Sequence, residues 1–118
     1  ASVSLGIAGA SIESTRSHLL GSMLEHLSQN LASLPNLRAR LARMKILYDT
    51  HSAFLKEVAF KMESGAPDVM LAVLESKAAV AEMALEVTDL AMRTCGGAAF
   101  SRHLSVERNF RDARAAWV

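Results

Sequence analysis

With one cysteine, Cys95, this chain of 118 residues has no means of forming an internal disulfide. A reducing compartment is therefore the default, and a cytoplasmic protein is expected. Proline is nearly as scarce, at 2 residues, and only 5% of the chain is aromatic. With so few chain breakers and an apolar content carried mostly by Ala, Leu and Met, the composition favours helix over sheet. Neither sign of charge dominates: 13 basic against 12 acidic residues leave a formal charge of +1. No global field attracts nucleic acid or an acidic membrane surface. No apolar run approaches the roughly 20 residues needed to span a bilayer, and Val80 to Val87 is broken by Glu82 and Glu86. No charged, apolar and small-residue sequence of the secretory kind opens the chain.

What the chain has in quantity is amphipathic helix. Its length suits a single domain over residues 1–118 with one core. Four helices fit the spacing of apolar residues. The first is expected from about Ser4 to Leu27, with Leu5, Ile12, Leu19, Leu20, Met23 and Leu27 near one face. Asn30, Ser33 and Pro35 then mark a stop and a restart. The second runs from about Leu37 to Glu63 on Leu37, Leu41, Met44, Tyr48, Leu55, Val58 and Met62. Gly65 suits a helix C-terminus, and Pro67 with Asp68 suits the first turn of the next helix. The third spans about Pro67 to Thr94 on Met70, Val73, Leu74, Val80, Ala84, Val87 and Leu90, with enough alanine for close approach. A fourth begins at Ser105, a good N-cap, with Glu107 in its first turn, and reaches at least Trp117. Long helices with short connections mean an all-α, up-down four-helix bundle. A mean hydropathy of +0.20 is high for such a domain, so some apolar helix surface is expected to be covered by another chain or domain.

Sites for conventional chemistry are few. The histidines, His18, His26, His51 and His103, form no Glu-x-x-His pair and no short-spaced zinc pattern, so no metal site is expected. Cys95 sits at a helix C-terminus, where the dipole opposes a thiolate, and reads as a packing residue. Arg38, Arg40, Arg43 and Lys45 are split between two helix faces and read first as solvated, with an anion or partner contact as the alternative. Glu107 to Arg111 and Arg108 to Asp112 lie at i,i+4, where each ion pair adds only about 0.2–0.5 kcal/mol. Phe110 and Trp117 in the same segment need an apolar seat.

The segment that stands apart is Arg93-Thr-Cys95-Gly96-Gly97-Ala-Ala-Phe100. One residue with positive φ is enough to end a helix. Two glycines in a row let the backbone pass close to another chain or a ligand. With Val106-Glu107-Arg108-Asn-Phe110-Arg111-Asp112-Ala113-Arg114 following, the chain resembles the C-terminal helical domain of the acyl-CoA dehydrogenase superfamily. There a long helix ends in two glycines followed by an aromatic residue, and a Val/Leu-Glu-Arg-x-aromatic-Arg-Asp-Ala-Arg/Lys segment comes next. The opening Leu5-Gly6-Ile7-Ala8 resembles the start of that family's first C-terminal helix.

The resemblance implies a flavoenzyme that transfers hydride from an acyl-CoA to FAD. It also implies a homodimer or tetramer in which Gly96 and Gly97 approach the FAD of a neighbouring subunit. Arg93 stands where the family usually has Gln, and would meet a phosphate. The family's Arg-x-x-Phe-Gly segment between the first two helices is missing, with Asn30 to Leu37 in its place. That departure is shared by a divergent branch of reduced-flavin monooxygenases, which is one alternative. A helical interaction module without catalysis is the other. The base positions that the family uses would fall before Ala1 or beyond Val118, so no residue here is assigned as catalytic. The chain is expected to be a domain of a longer enzyme, inactive by itself.

Overall fold

The structure is a computed structural model that describes residues 1–25, 34–96 and 105–117. Four helices account for nearly all of them: α1 Ser2–Glu25, α2 Leu34–Ser64, α3 Val69–Cys95 and α4 Val106–Trp117. No strand occurs among the described residues. The all-α, up-down bundle expected from the periodicity is what forms.

The punctuation acts where the sequence puts it. Pro35 lies in the first turn of α2, where a missing N–H costs nothing. At the other end Gly65 adopts φ 68°, and the Ala66 N–H returns to the Lys61 carbonyl at 3.1 Å. That is the six-to-one closure of a Schellman cap. The new helix starts slightly later than Pro67, with Asp68 at the N-cap but making no side-chain cap bond. The Asp68 carboxylate is drawn instead to the Lys61 ammonium across the turn. This pair lowers the Asp68 pKa and raises that of Lys61, chiefly through their hydrogen bond.

α3 is the hub. It packs against α1, α2 and α4, whereas α2 and α4 make no appreciable contact among the described residues. A helix touched from three sides can keep only small or slim side chains at its contacts. The buried residues of α3 are Ala72, Ser76, Val80, Ala81, Met83, Ala84, Val87, Thr88, Ala91, Thr94 and Cys95. Met44 and Leu47 of α2, Ala8 of α1, and Val106 and Ala113 of α4 complete the core.

Two expectations about faces need correction. The buried stripe of α1 is Ser4, Ala8, Ser11, Thr15 and Leu19, with Leu5 and Ile12 only packed at its edge and Leu20 half exposed. The side chains of Met23 and Leu27 lie outside the described part. Hydroxyls can be buried here because they bond their own helix: Thr15 Oγ1 donates to the Ser11 carbonyl at 2.7 Å and Thr88 Oγ1 to the Ala84 carbonyl at 2.7 Å. Small Ser and Thr residues then let α1 approach α3 more closely than Leu would. Secondly, Met62, Met70 and Leu74 are exposed, together with Phe60 and Leu71. They sit on the distal part of the α2–α3 hairpin, which α1 and α4 leave uncovered. The molecule is correspondingly elongated, 57 × 25 × 16 Å.

Burial makes two stability predictions. Met44→Ala, at a fully buried site, should cost about 2–5 kcal/mol in chemical denaturation. Met70→Ala, 70% exposed, should change stability by less than about 0.5 kcal/mol. Ser11 Oγ is buried without a hydrogen-bond partner among the described residues. Ser11→Ala should therefore be neutral or stabilising, and a marked loss of stability would show that the hydroxyl has a partner.

Candidate cofactor-facing site

The residues singled out in the sequence gather at one end of the bundle, where α3 stops beside the start of α2. α3 ends because Gly96 takes φ 59° and ψ −136°, while its N–H bonds back to the Met92 carbonyl. This is the mirror image of extended backbone, a region open to glycine and costly for any residue with a Cβ. A Cβ at Gly96 would meet nothing within 4 Å. The need for glycine here is thus conformational, and among the described residues nothing crowds the bend. Gly97 and Phe100 lie outside the described residues.

Arg93, one turn earlier, projects into solvent with its side chain 70% exposed. It is not free: its Nε meets the Asp89 carboxylate at 3.0 Å. An exposed pair of this kind contributes about 0.3–0.5 kcal/mol, so the guanidinium can change partners at little cost. Opposite, Arg43 of α2 pairs with Glu86 of α3 at 3.2 Å. Arg40 of α2 donates through Nη1 to the Arg93 carbonyl at 3.5 Å. The basic cluster of α2 is therefore divided. Arg40 and Arg43 reach α3, Lys45 turns to Asp49 at 2.9 Å and lies over the Tyr48 ring, and Arg38 is exposed.

Behind the bend lies the buried core, where small apolar and hydroxyl side chains meet. Cys95 is buried in the core, as its reading as a packing residue anticipated. Its Sγ approaches Thr15 Oγ1 at 3.8 Å. Burial pushes the thiol above its ordinary value of 9.0, with the Thr15 contact a smaller opposing influence. The protonated thiol is what the fold prefers. This contribution to stability is present below the unfolded thiol's pKa and is lost as pH rises through the folded one.

α4 is fastened to α3 from the far side. Arg114 lays its guanidinium on the Phe110 ring, 3.3 Å from the centroid, and donates to Thr88 Oγ1 at 3.3 Å. Phe110 thus finds its seat under a cation rather than deep in the core. Arg111 and Glu107 form the anticipated i,i+4 pair at 2.9 Å, whereas Arg108 and Asp112 form none. The Ser105 carbonyl accepts the first helical bond, from the Asn109 N–H at 2.9 Å, which fits its role as N-cap. The Trp117 side chain lies outside the described part. No cluster of three or more His, Cys, Asp or Glu capable of holding a metal occurs among the described residues. A separate open groove of about 500 Å³ between α1 and α2 passes Gly9 and Tyr48. There a Cβ on Gly9 would come within 3.1 Å of the Tyr48 ring, a close approach that spacing did not reveal.

Gly96→Ala should destabilise the fold by about 1–3 kcal/mol through backbone strain alone, even though nothing blocks the new methyl. Denaturant titration checks this, and a neutral result would mean that the bend is not held as described. Cys95 should resist alkylation in the folded protein and react fully once denatured.

Against known proteins, the family model described as "Acyl-CoA dehydrogenase, C-terminal domain" matches residues 1–117. Among curated proteins, the chain is 27% identical over 90 residues to one named "Probable acyl-CoA dehydrogenase fadE25" from Mycobacterium leprae (strain TN). That stretch covers 76% of this chain and 23% of the relative, so the matched part is less than a quarter of that protein's length. With its four helices, its glycine-ended third helix and the match along almost its whole length, the chain belongs to the family of acyl-CoA dehydrogenase C-terminal domains.

Proposed function

We propose that this chain is the C-terminal helical domain of a longer acyl-CoA dehydrogenase-like oxidoreductase. In that role it closes one wall of an FAD site and supplies part of the contact between subunits of a dimer or tetramer. The observation that carries the reading is Gly96. Its backbone is one that only glycine adopts cheaply, and apart from its chain neighbours no described residue comes within 4 Å of where a side chain would begin. A bend built this way admits a bulky group against bare backbone.

FAD fits the residues present. Its adenine dinucleotide carries two phosphates, and the bend is flanked by the exposed guanidinium of Arg93, whose bond to Asp89 is easily exchanged. When bound, FAD would supply the hydride acceptor for oxidation of an acyl-CoA. The chain's own contribution is to bind and orient. Arg93, Gly96 and Gly97 form the cofactor-facing edge, and the buried Cys95–Thr15 contact anchors the end of α3 to α1. No side chain here is assigned as the base that removes the substrate proton.

The dehydrogenase reading is favoured over a reduced-flavin monooxygenase by the family match and the relative's name. The same match favours it over a non-catalytic module. The exposed Phe60, Met62, Met70, Leu71 and Leu74 of the α2–α3 hairpin support burial of that arm in an assembly, since apolar surface in such quantity is rarely left in water.

The longer polypeptide that carries this chain, purified without added cofactor, should be yellow and release FAD on denaturation. Addition of an acyl-CoA under anaerobic conditions should bleach the flavin absorbance. A colourless protein with no affinity for FAD would refute the reading. Bound flavin that no acyl-CoA reduces would redirect it to the oxygenase alternative.

A further inference from the structure

The corner that holds the Gly96 bend carries a positive charge its neighbours do not cancel. Arg43 is matched by Glu86 and Arg93 by Asp89. Arg40 has no carboxylate partner among the described residues. Among these its one hydrogen bond is the 3.5 Å bond from Nη1 to the Arg93 carbonyl, and the residue is exposed.

That placement answers a difficulty at the site. The last turn of a helix presents carbonyl oxygens and the negative end of the helix dipole. The Gly96 N–H is already spent on the Met92 carbonyl. A phosphate brought to this bend would thus face repulsion from α3, and attraction must come from side chains. Arg93 supplies one guanidinium, but shares it with Asp89. Arg40 crosses from α2 and spends one N–H on the carbonyl beside the bend. That leaves the other N–H groups of its planar fork without a hydrogen-bond acceptor among the described residues. A guanidinium so placed both offsets the carbonyl dipoles and offers paired donors to phosphate oxygens.

We propose that Arg40 is a second phosphate-holding residue of the cofactor-facing site, acting with Arg93 on the pyrophosphate of a flavin dinucleotide. The inference rests on the reading of this edge as an FAD wall. It adds a residue from a different helix, which ties cofactor affinity to the packing of α2 against α3.

The test uses the longer polypeptide, stripped of cofactor and titrated with FAD by flavin fluorescence at several salt concentrations. Arg40→Gln should weaken FAD binding by about tenfold, the scale of a lost hydrogen bond to a charged group. Its affinity should also depend less on salt than that of the unsubstituted protein. Arg40→Lys, which keeps the charge but loses the fork, should give a smaller loss. The melting temperature of the cofactor-free protein should be the same with and without Arg40→Gln. Equal FAD affinity in the two proteins would overturn the inference while leaving the FAD wall intact. So would a loss of affinity that only tracks a lowered melting temperature, since Arg40 would then be a helix cap. An unsubstituted protein that binds no FAD removes the underlying reading as well.

Discussion

The structure depends on the slimness of α3. Three helices lean on it, and its buried contact residues are mostly alanine, serine, threonine and valine, with one cysteine and a single large side chain, Met83. Interhelical distance follows from the side chains at the contact, so this row draws α1, α2 and α4 in around one rod. It also fixes the direction in which that rod delivers its last turn. The Gly96 bend is positioned by packing that lies behind it, at Ala91, Thr94, Cys95 and Thr15. The loop itself need not be the source of that position.

A rigid rod with a stripped end is a reasonable way to present backbone to a ligand. Side-chain contacts lose rotamer freedom on binding, whereas a bend preset by a glycine backbone and a buried helix has little left to lose. The same logic explains the division of labour along the chain. Tight, small and partly polar contacts lie near the bend, where precision is needed. The distal α2–α3 arm instead carries large exposed apolar groups, Phe60, Met62, Met70, Leu71 and Leu74, as an association surface would.

Much of the fold was legible in the sequence. Four helices and their short connections follow from period and punctuation, and Gly65 with Pro67 placed the α2–α3 turn to within a few residues. Faces were harder to read. Leu5, Ile12 and Leu20 outrank Ser4, Ser11 and Thr15 on any hydropathy scale, yet the hydroxyl residues are the ones buried. Thr15 satisfies its hydroxyl inside the helix, Ser11 is buried without a partner among the described residues, and the small size of all three permits closer approach. Met62, Met70 and Leu74 hold perfect helical spacing and are exposed, because periodicity does not say how far a neighbouring helix extends. At the site, the glycine pair and Arg93 drew notice from their local pattern. Arg40 stood out only as one of a basic cluster read first as solvated, since its proximity to the bend depends on the antiparallel pairing of α2 with α3. Such a long-range juxtaposition leaves no trace in local spacing.

The claim on which everything else turns is that the backbone at the end of α3 lies bare so that a flavin dinucleotide can rest against it. A crystallographic or cryo-electron-microscopic structure of the longer polypeptide with FAD bound is the direct measurement. The account predicts the Gly96 bend in van der Waals contact with the cofactor of an adjoining subunit and the Arg93 guanidinium within hydrogen-bond reach of a phosphate. A bend that faces bulk solvent, remote from every flavin in the assembly, would contradict it.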